Sequence, residues 1–103
     1  MVPQVRASYG ASLSPDATAF AHLVDDGGYP RAVQRFLRGR HASSSRDVEL
    51  PVDGPVTRVL HSADGRWLAC EVAPDGGTRT QIWVVTTDPD DRAARRIDAV
   101  QAY

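Results

Sequence analysis

The strongest constraint on this chain is an internal repeat. The stretch 14–24, SPDATAFAHLV, aligns with the stretch 62–72, SADGRWLACEV, at an offset of 48 residues. Each stretch runs into a glycine turn, and later Arg46-Asp47-Val48 aligns with Arg95-Arg96-Ile97 at an offset of 49. Because self-similarity at such a period marks repeat architectures, the chain is predicted to contain two copies of one unit of about 48 residues.

Each copy is predicted to consist of short strands joined by tight turns, since β-branched and aromatic clusters alternate with Asp-Gly, Gly-Gly and Pro-Asp pairs. Alternation within 66–72 places its odd-numbered residues on one face and its even-numbered residues on the other. The continuous apolar run 82–85 is expected to be buried on both faces. The predicted strands of the second copy are 56–60, 66–72, 78–86 and 94–99.

The first copy leaves one element open. Residues 31–37 align with the third strand of the second copy, which indicates a strand. Pro30, followed by apolar residues at helical spacing, also fits a short helix. We predict a strand because the repeat favours it. The fourth strand of this copy is taken as 47–50, and the prediction of 94–99 in the second copy depends on its match to that stretch.

Units of about 40 to 50 residues with four short strands have the length of β-propeller blades. The predicted fold is therefore all-β, with two four-stranded antiparallel propeller blades that form a partial β-propeller. The predicted organisation is an N-terminal arm at 1–10, a first blade at 11–53, a second blade at 54–99 and a tail at 100–103. Two blades alone leave outer faces without partners, so the chain is expected to be part of a larger propeller.

The residues around the two turns resemble a known repeat. Leu13-Ser14-Pro15-Asp16 precedes Phe20-Ala21, and the string 61–69, HSADGRWLA, precedes 81–85, QIWVV. This pattern resembles the WD40-like repeat of TolB-type propellers and of the N-terminal propellers of prolyl-oligopeptidase-family serine peptidases. The similarity covers residues 10–99. The chain departs from it at Ala17, where the family has Gly, and at Ala63, where it has Pro.

The resemblance implies a structural role. In the peptidase family, the propeller caps a separate α/β-hydrolase domain and restricts access to its Ser-Asp-His site, so that mainly peptides enter. This chain is accordingly expected to have a substrate-gating role in a parent serine peptidase and to hold no catalytic residues itself. The expected partners are that hydrolase domain, other propeller blades and a second copy of the chain, with the peptide substrate gated indirectly. Two other functions stay open: a stand-alone TolB- or WD40-like protein-interaction module, and a small β-sandwich enzyme.

Composition excludes several kinds of chemistry. All 12 residues of the Lys and Arg class are arginine and there is no asparagine, which rules out P-loop lysines, Schiff-base lysines and N-glycosylation. A net charge of -1 gives no field to attract nucleic acid or an anionic membrane. One cysteine permits no intrachain disulfide, and the N-terminus lacks the apolar stretch of an export signal, so a cytoplasmic location is expected.

No cofactor or metal is expected either. The histidines His22, His41 and His61 are too widely spaced along the chain for the short ligand spacings of structural zinc. The acidic clusters at 25–26 and 88–91 are expected to stabilise turns rather than to hold Ca²⁺, because Asp side chains bond their own backbone in turns.

One stretch has an uneven charge: residues 31–46 contain five arginines and a histidine but no acidic residue. Arginine forks suit planar oxyanions, which makes this stretch a candidate docking or anion-binding patch. Two uses stay open, namely binding a carboxylate, a phosphate or an acidic surface, and keeping a sheet edge soluble. The candidate residues are Arg31, Arg35, Arg38, Arg40 and Arg46.

Other reactive or bulky residues are expected to have structural roles. Ser12 lies in the string nearest to a nucleophile elbow, but the second glycine of that motif is absent, so it is predicted to be an ordinary turn serine. Cys70 is predicted to be a small core residue, and Trp67 and Trp83 are predicted to pack in the core of the second blade.

Overall fold

The computed structural model describes residues 10–25 and 27–97, which form two four-stranded antiparallel sheets. Sheet 1 comprises β1 (Ala11–Leu13), β2 (Ala19–Val24), β3 (Arg31–Phe36) and β4 (Ser45–Asp47), and sheet 2 comprises β5 (Val56–His61), β6 (Trp67–Val72), β7 (Gln81–Thr86) and β8 (Ala94–Ile97), each in chain order. Within the described ranges there is no α-helix, only a short 3-10 turn at Pro74–Gly76. The predicted all-β fold of two blade-like sheets is confirmed. Except for Gly10, the predicted arm and tail lie outside the described residues.

The two repeated turns use the same hydrogen bonds. In the first, Ser14 Oγ accepts from the backbone N–H groups of Thr18 and Ala19, each at 3.0 Å, and donates to Asp16 Oδ1 at 2.9 Å. Hydrogen bonds from the Thr18 side chain and then from Ser14 hold the pKa of Asp16 below its ordinary value. The motif therefore recurs because a serine and an aspartate two residues later close the turn that leads into a strand.

The second turn closes in the same way. The N–H of Trp67 donates to Ser62 Oγ at 3.1 Å, and Ser62 Oγ donates to Asp64 Oδ1 at 2.6 Å. Gly65 has a positive φ of 74°, and Ala17 adopts φ 60° at the matching point of the first turn. The alanine that departs from the family pattern thus occupies the left-handed conformation that glycine adopts without steric cost.

The core lies between the two sheets. We call the face of each sheet that carries the odd-numbered residues of β2 or β6 its front, and the face that carries the even-numbered residues its back. The front of sheet 1 contributes Ala21 and Ala32, and the back of sheet 2 contributes Leu68, Cys70 and Val72, all at most 1% exposed. The front of one sheet packs on the back of the next, as in successive propeller blades.

Three strand predictions need correction, the simplest being that of β7, which begins at Gln81 and not at residue 78. In the run 82–85 only Val85 is buried. Ile82 and Val84 lie on the front of sheet 2, which has no covering layer in the described part of the chain, and Trp83 on the back is only partly covered. The fourth strand of the first copy is Ser45–Asp47, not 47–50, because the chain leaves the sheet after Asp47 and packs Val48, Leu50 and Val52 against the core. The prediction that 31–37 forms a strand is confirmed over Arg31–Phe36.

The tryptophan prediction is wrong for one residue of the pair. Trp83 pairs with Cys70 on the back of sheet 2 and packs against the core. Trp67 lies on the front, half-exposed and outside the core cluster. Strand alternation separates the two rings, because Trp67 pairs with Thr86 and not with Trp83. Cys70, in contrast, is fully buried as predicted.

The connection between the sheets is fixed by close backbone contacts. The N–H of Val56 donates to the Pro30 carbonyl at 2.9 Å, which ties the start of β5 to sheet 1. Gly54 has φ 153°, and a Cβ there would lie 2.1 Å from the Ala73 carbonyl oxygen. Only glycine allows this approach, so Gly54 sets the path by which the chain enters sheet 2.

Candidate functional site

The five arginines of the predicted patch are distributed over different parts of the fold. Arg31 and Arg35 lie on the back of sheet 1, while Arg46, which pairs with Gln34, lies on its front. Arg38 and Arg40 follow β3 and are exposed. Whether any of them binds an anion stays a prediction, but the structure gives Arg46 a different environment from the other four.

Arg46 joins the two sheets. Its Nε donates to Gln34 Oε1 at 2.8 Å and its Nη2 donates to the Thr86 carbonyl at 2.8 Å. Its Nη1 donates to the carbonyls of Asp91 at 3.0 Å and Pro89 at 3.4 Å. One guanidinium from β4 thereby binds three carbonyls of the segment 86–91, which we call the acidic loop because it contains three aspartates. The fork geometry of arginine suits several acceptors at once.

Gln34 completes this connection and was missed by the sequence analysis. It is 1% exposed, and its Nε2 donates to the Thr87 carbonyl at 3.0 Å. Its side-chain oxygen and nitrogen are therefore both paired, as burial of an amide requires. The available signal was its position on a buried strand face between Ala32 and Phe36, where a polar residue needs a specific partner.

Electrostatics around Arg46 are mixed. Burial is the main cause that lowers the pKa of Arg46, and the nearby charge of Arg92 acts in the same direction. Asp88, Asp91 and Glu49 oppose this. Since an arginine stays charged in proteins, the acidic loop offsets part of the cost of taking this cation out of water.

Two exposed ion pairs also cross between the sheets. Arg40 Nη2 lies 2.9 Å from Asp90 Oδ2, and Arg92 Nη1 lies 2.9 Å from Glu49 Oε1. Exposed pairs of this kind contribute about 0.2–1 kcal/mol each. They favour the same arrangement of the sheets as Arg46 but add far less to its stability.

Arg38 and Arg40 share a cleft of about 210 Å³ with His41 and His61. The structure thus brings together part of the predicted basic stretch, and it does not place Arg31, Arg35 or Arg46 in this cleft. The ring of His41 also contacts that of Phe36, with centroids 5.8 Å apart.

Ser12, which lies in β1 and not in a turn as predicted, contacts His61 of sheet 2. The His61 N–H donates to Ser12 Oγ at 3.0 Å, and Ser12 Oγ lies 3.0 Å from His61 Nδ1. Ser12 Oγ accepts from the backbone, and it can donate its own proton to Nδ1 or accept one from it, depending on the His61 tautomer. In the described residues no carboxylate hydrogen-bonds this ring, so the acid-oriented triad of a serine hydrolase is not assembled here.

We expect His61 to make the fold sensitive to mild acid. Burial lowers its pKa from the ordinary 6.5, and the charge of Asp16 opposes this more weakly. The unfolded chain therefore takes up a proton before the folded one, so the free energy of unfolding falls as the pH drops from 6.5 toward the folded-state pKa. Denaturant titrations across this range should show a smaller pH dependence for His61→Asn, whose Oδ1 can replace Nδ1 as an acceptor. Equal dependence in both proteins would contradict this assignment.

Metal-site geometry is not assembled in the part of the chain that the structure describes, where no group of three or more His, Cys, Asp or Glu side chains converges. The aspartates of the acidic loop stabilise its turns instead. Asp88 Oδ1 accepts from the Asp90 N–H at 2.9 Å, and Asp91 Oδ1 accepts from the Ala93 N–H at 3.1 Å. Of the other acidic cluster, Asp26 lies outside the described residues.

The front of sheet 2 is an apolar, solvent-facing surface. Leu60 is 66% exposed and Ile97 is 51% exposed. Strand pairing places them on the same face as half-buried residues of β6 and β7. The surface, which we call the open front, consists of Leu60, Trp67, Ala69, Ile82, Val84 and Ile97. It corresponds, through the repeat, to the front of sheet 1, which is covered by sheet 2.

Comparisons with known proteins add no relative: no protein-family model matches the chain, and no curated protein matches it. No helix among the described residues has the length and apolar character needed to cross a membrane.

Proposed function

We propose that this chain is a pair of neighbouring blades from the propeller of a prolyl-oligopeptidase-like serine peptidase. The observation that carries the proposal is the packing of the front of one repeat on the back of the next, with the corresponding front of the second repeat left exposed. Any pair of packed sheets leaves two outer faces, and in a self-contained pair these faces are mostly polar. Here the outer front of sheet 2 exposes Leu60 and Ile97, which supports a further layer on that face.

The role proposed for the pair is structural. It frames part of the propeller channel that admits peptides, and it presents surfaces to neighbouring blades and to an α/β-hydrolase domain that supplies the catalytic serine. Two features support a non-catalytic role for this part. The contact between Ser12 and His61 lacks an orienting carboxylate within the described structure, and the exposed arginines Arg35 and Arg38 are available for contact with an acidic surface. The resemblance of the turn and strand motifs supports the choice of peptidase.

The test uses the native protein in its source cells. An antibody raised against the 103-residue chain is used to capture the protein after cells are treated with a fluorophosphonate probe, which labels active serine hydrolases. We expect a labelled polypeptide several times larger than 11.2 kDa, because the hydrolase domain and further blades add to its mass. A captured protein of 11.2 kDa that carries no label would contradict the proposal and would favour the stand-alone interaction module.

A further inference from the structure

The repeat assigns a counterpart to Arg46 on the open front. In sheet 1, Arg46 pairs with Gln34 on the front face, and in sheet 2, Arg95 pairs with Val84 at the corresponding place. Arg46 is half-buried against the acidic loop of the next sheet, whereas Arg95 is exposed. The repeat thus places an arginine at the same position of both sheets. Arg46 is bound to three carbonyls, whereas Arg95 lies at the edge of an uncovered apolar face.

The residues beside Arg46 differ from those beside Arg95, and this difference indicates the chemistry of a surface that could cover the open front. On sheet 1 the front contains Ser12 and Gln34, which bond to His61 and to the Thr87 carbonyl of sheet 2. The corresponding positions of the open front are Leu60 and Val84. A surface that covers them needs apolar side chains in the centre, hydrogen-bond acceptors opposite Arg95 and polar groups opposite Arg58 and Glu71, which lie on the same face.

A second copy of the chain does not meet these requirements. The back of its sheet 2 is already covered by its own sheet 1, so for packing of a front on a back it can offer only the back of sheet 1. The loop that follows β3 there contains Arg38, Arg40 and His41, at the positions that Asp88, Asp90 and Asp91 occupy after β7. Docking in the same geometry would set Arg38 and Arg40 against Arg95, and like charges at an interface are unfavourable.

We propose that the open front binds a further propeller blade whose loop between its third and fourth strands is acidic, and that Arg95 binds the carbonyls of that loop as Arg46 binds those of the acidic loop here. The proposal rests on the proposed function in that both require further blades. It goes further in naming the chemistry that selects the next blade. Arg95 is then a specificity residue for blade order, and the basic loop after β3 prevents the chain from closing on itself.

The test extends residues 1–97 of the chain by one blade of known chemistry. A second copy of residues 49–97 is joined after Ile97, which reproduces the spacing between Val48 and sheet 2 because Ile97 aligns with Val48. The appended copy brings an acidic loop and an uncovered back face. We expect one cooperative thermal transition, and we expect Arg95→Gln in the first copy to lower its midpoint by at least about 3 °C. The same substitution in the 103-residue chain should change the midpoint by less than about 1 °C, as for other exposed positions.

A matched control changes only the charge of the appended loop. Replacing its Asp88, Asp90 and Asp91 by asparagine keeps the turn acceptors and the backbone carbonyls but removes the negative charge, so the effect of Arg95→Gln should become smaller without vanishing. An appended blade that unfolds in a separate transition would overturn the proposal, as would an Arg95→Gln effect that is the same with and without the extension.

Self-association is the remaining alternative. Association of the 103-residue chain that Leu60→Asp abolishes would assign the open front to a second copy and would overturn the proposal. These results are independent of the fluorophosphonate experiment, which measures the size and labelling of the native polypeptide. Failure of the blade assignment can therefore be distinguished from failure of the peptidase assignment.

Discussion

Replacing Leu68 by alanine will lower the free energy of unfolding by about 2–5 kcal/mol. The Leu68 side chain is fully buried on the back of sheet 2, among the residues that contact sheet 1. Its neighbours across the interface include Ala21 and Ala32, whose short side chains cannot move into the space left behind. The loss is therefore expected toward the upper part of this range, a large share of the stability of a small domain. Urea denaturation followed by circular dichroism measures it.

Leu60→Ala is the matched control for this prediction. It removes the same atoms from a residue that is 66% exposed on the front of the same sheet, so we expect a change within about 0.5 kcal/mol. A comparable loss in the two variants would mean that both faces of sheet 2 are buried. A negligible loss for Leu68→Ala would contradict the position of the core between the sheets.

Replacing Arg46 by glutamine will destabilise the protein by about 2–4 kcal/mol, because hydrogen bonds to a charged group contribute more than neutral ones and their loss leaves partners unpaired. Gln34 loses the donor to its side-chain oxygen in a site that is 1% exposed, and the carbonyls of Thr86 and Asp91 lose theirs. The partial exposure of Arg46 lets water reach some of these groups, which sets the upper limit. Thermal and urea unfolding provide the measurement.

Arg38→Gln serves as its control. Arg38 belongs to the same basic stretch but is exposed, and it forms no ion pair with a described residue, so we expect a change within about 0.5 kcal/mol. Arg46→Lys should lose most of what Arg46→Gln loses, since an ammonium cannot span the three carbonyls with a planar fork. Equal, small effects at Arg38 and Arg46 would mean that Arg46 does not hold the sheets together.

Local sequence patterns predict most of the strands because the repeat supplies each weak signal twice. The strand at Arg31–Phe36 could be chosen over a helix through its alignment with Gln81–Thr86. Period-two alternation in β6 identified both of its faces correctly. The same pattern could not predict that Ile82 and Val84 are only half-buried, because burial on the second face depends on a neighbouring layer and not on the strand itself.

The role of Arg46 shows where sequence reasoning about the site fell short. A stretch of five arginines indicates a charged surface, but strand alternation sends alternate residues to opposite faces, and one arginine therefore reaches the interior interface. Its acceptors are backbone carbonyls, which leave no trace in side-chain composition. The sequence did offer one signal for Arg46, since the repeat aligns it with Arg95 and so places an arginine at the same position of both units.

Reactivity of Cys70 tests the central claim most directly, namely that the two sheets pack face to face as successive blades. This single cysteine is fully buried at the interface, and burial raises the pKa of its thiol from 9.0 to about 12. At pH 8 the thiolate population in the folded protein is then lower by roughly a thousandfold, and the thiolate is the reactive form. We predict that a thiol reagent modifies the native chain only as fast as the protein unfolds, with both rates rising together in urea. Rapid modification at pH 8, while circular dichroism shows both sheets intact, would contradict the account.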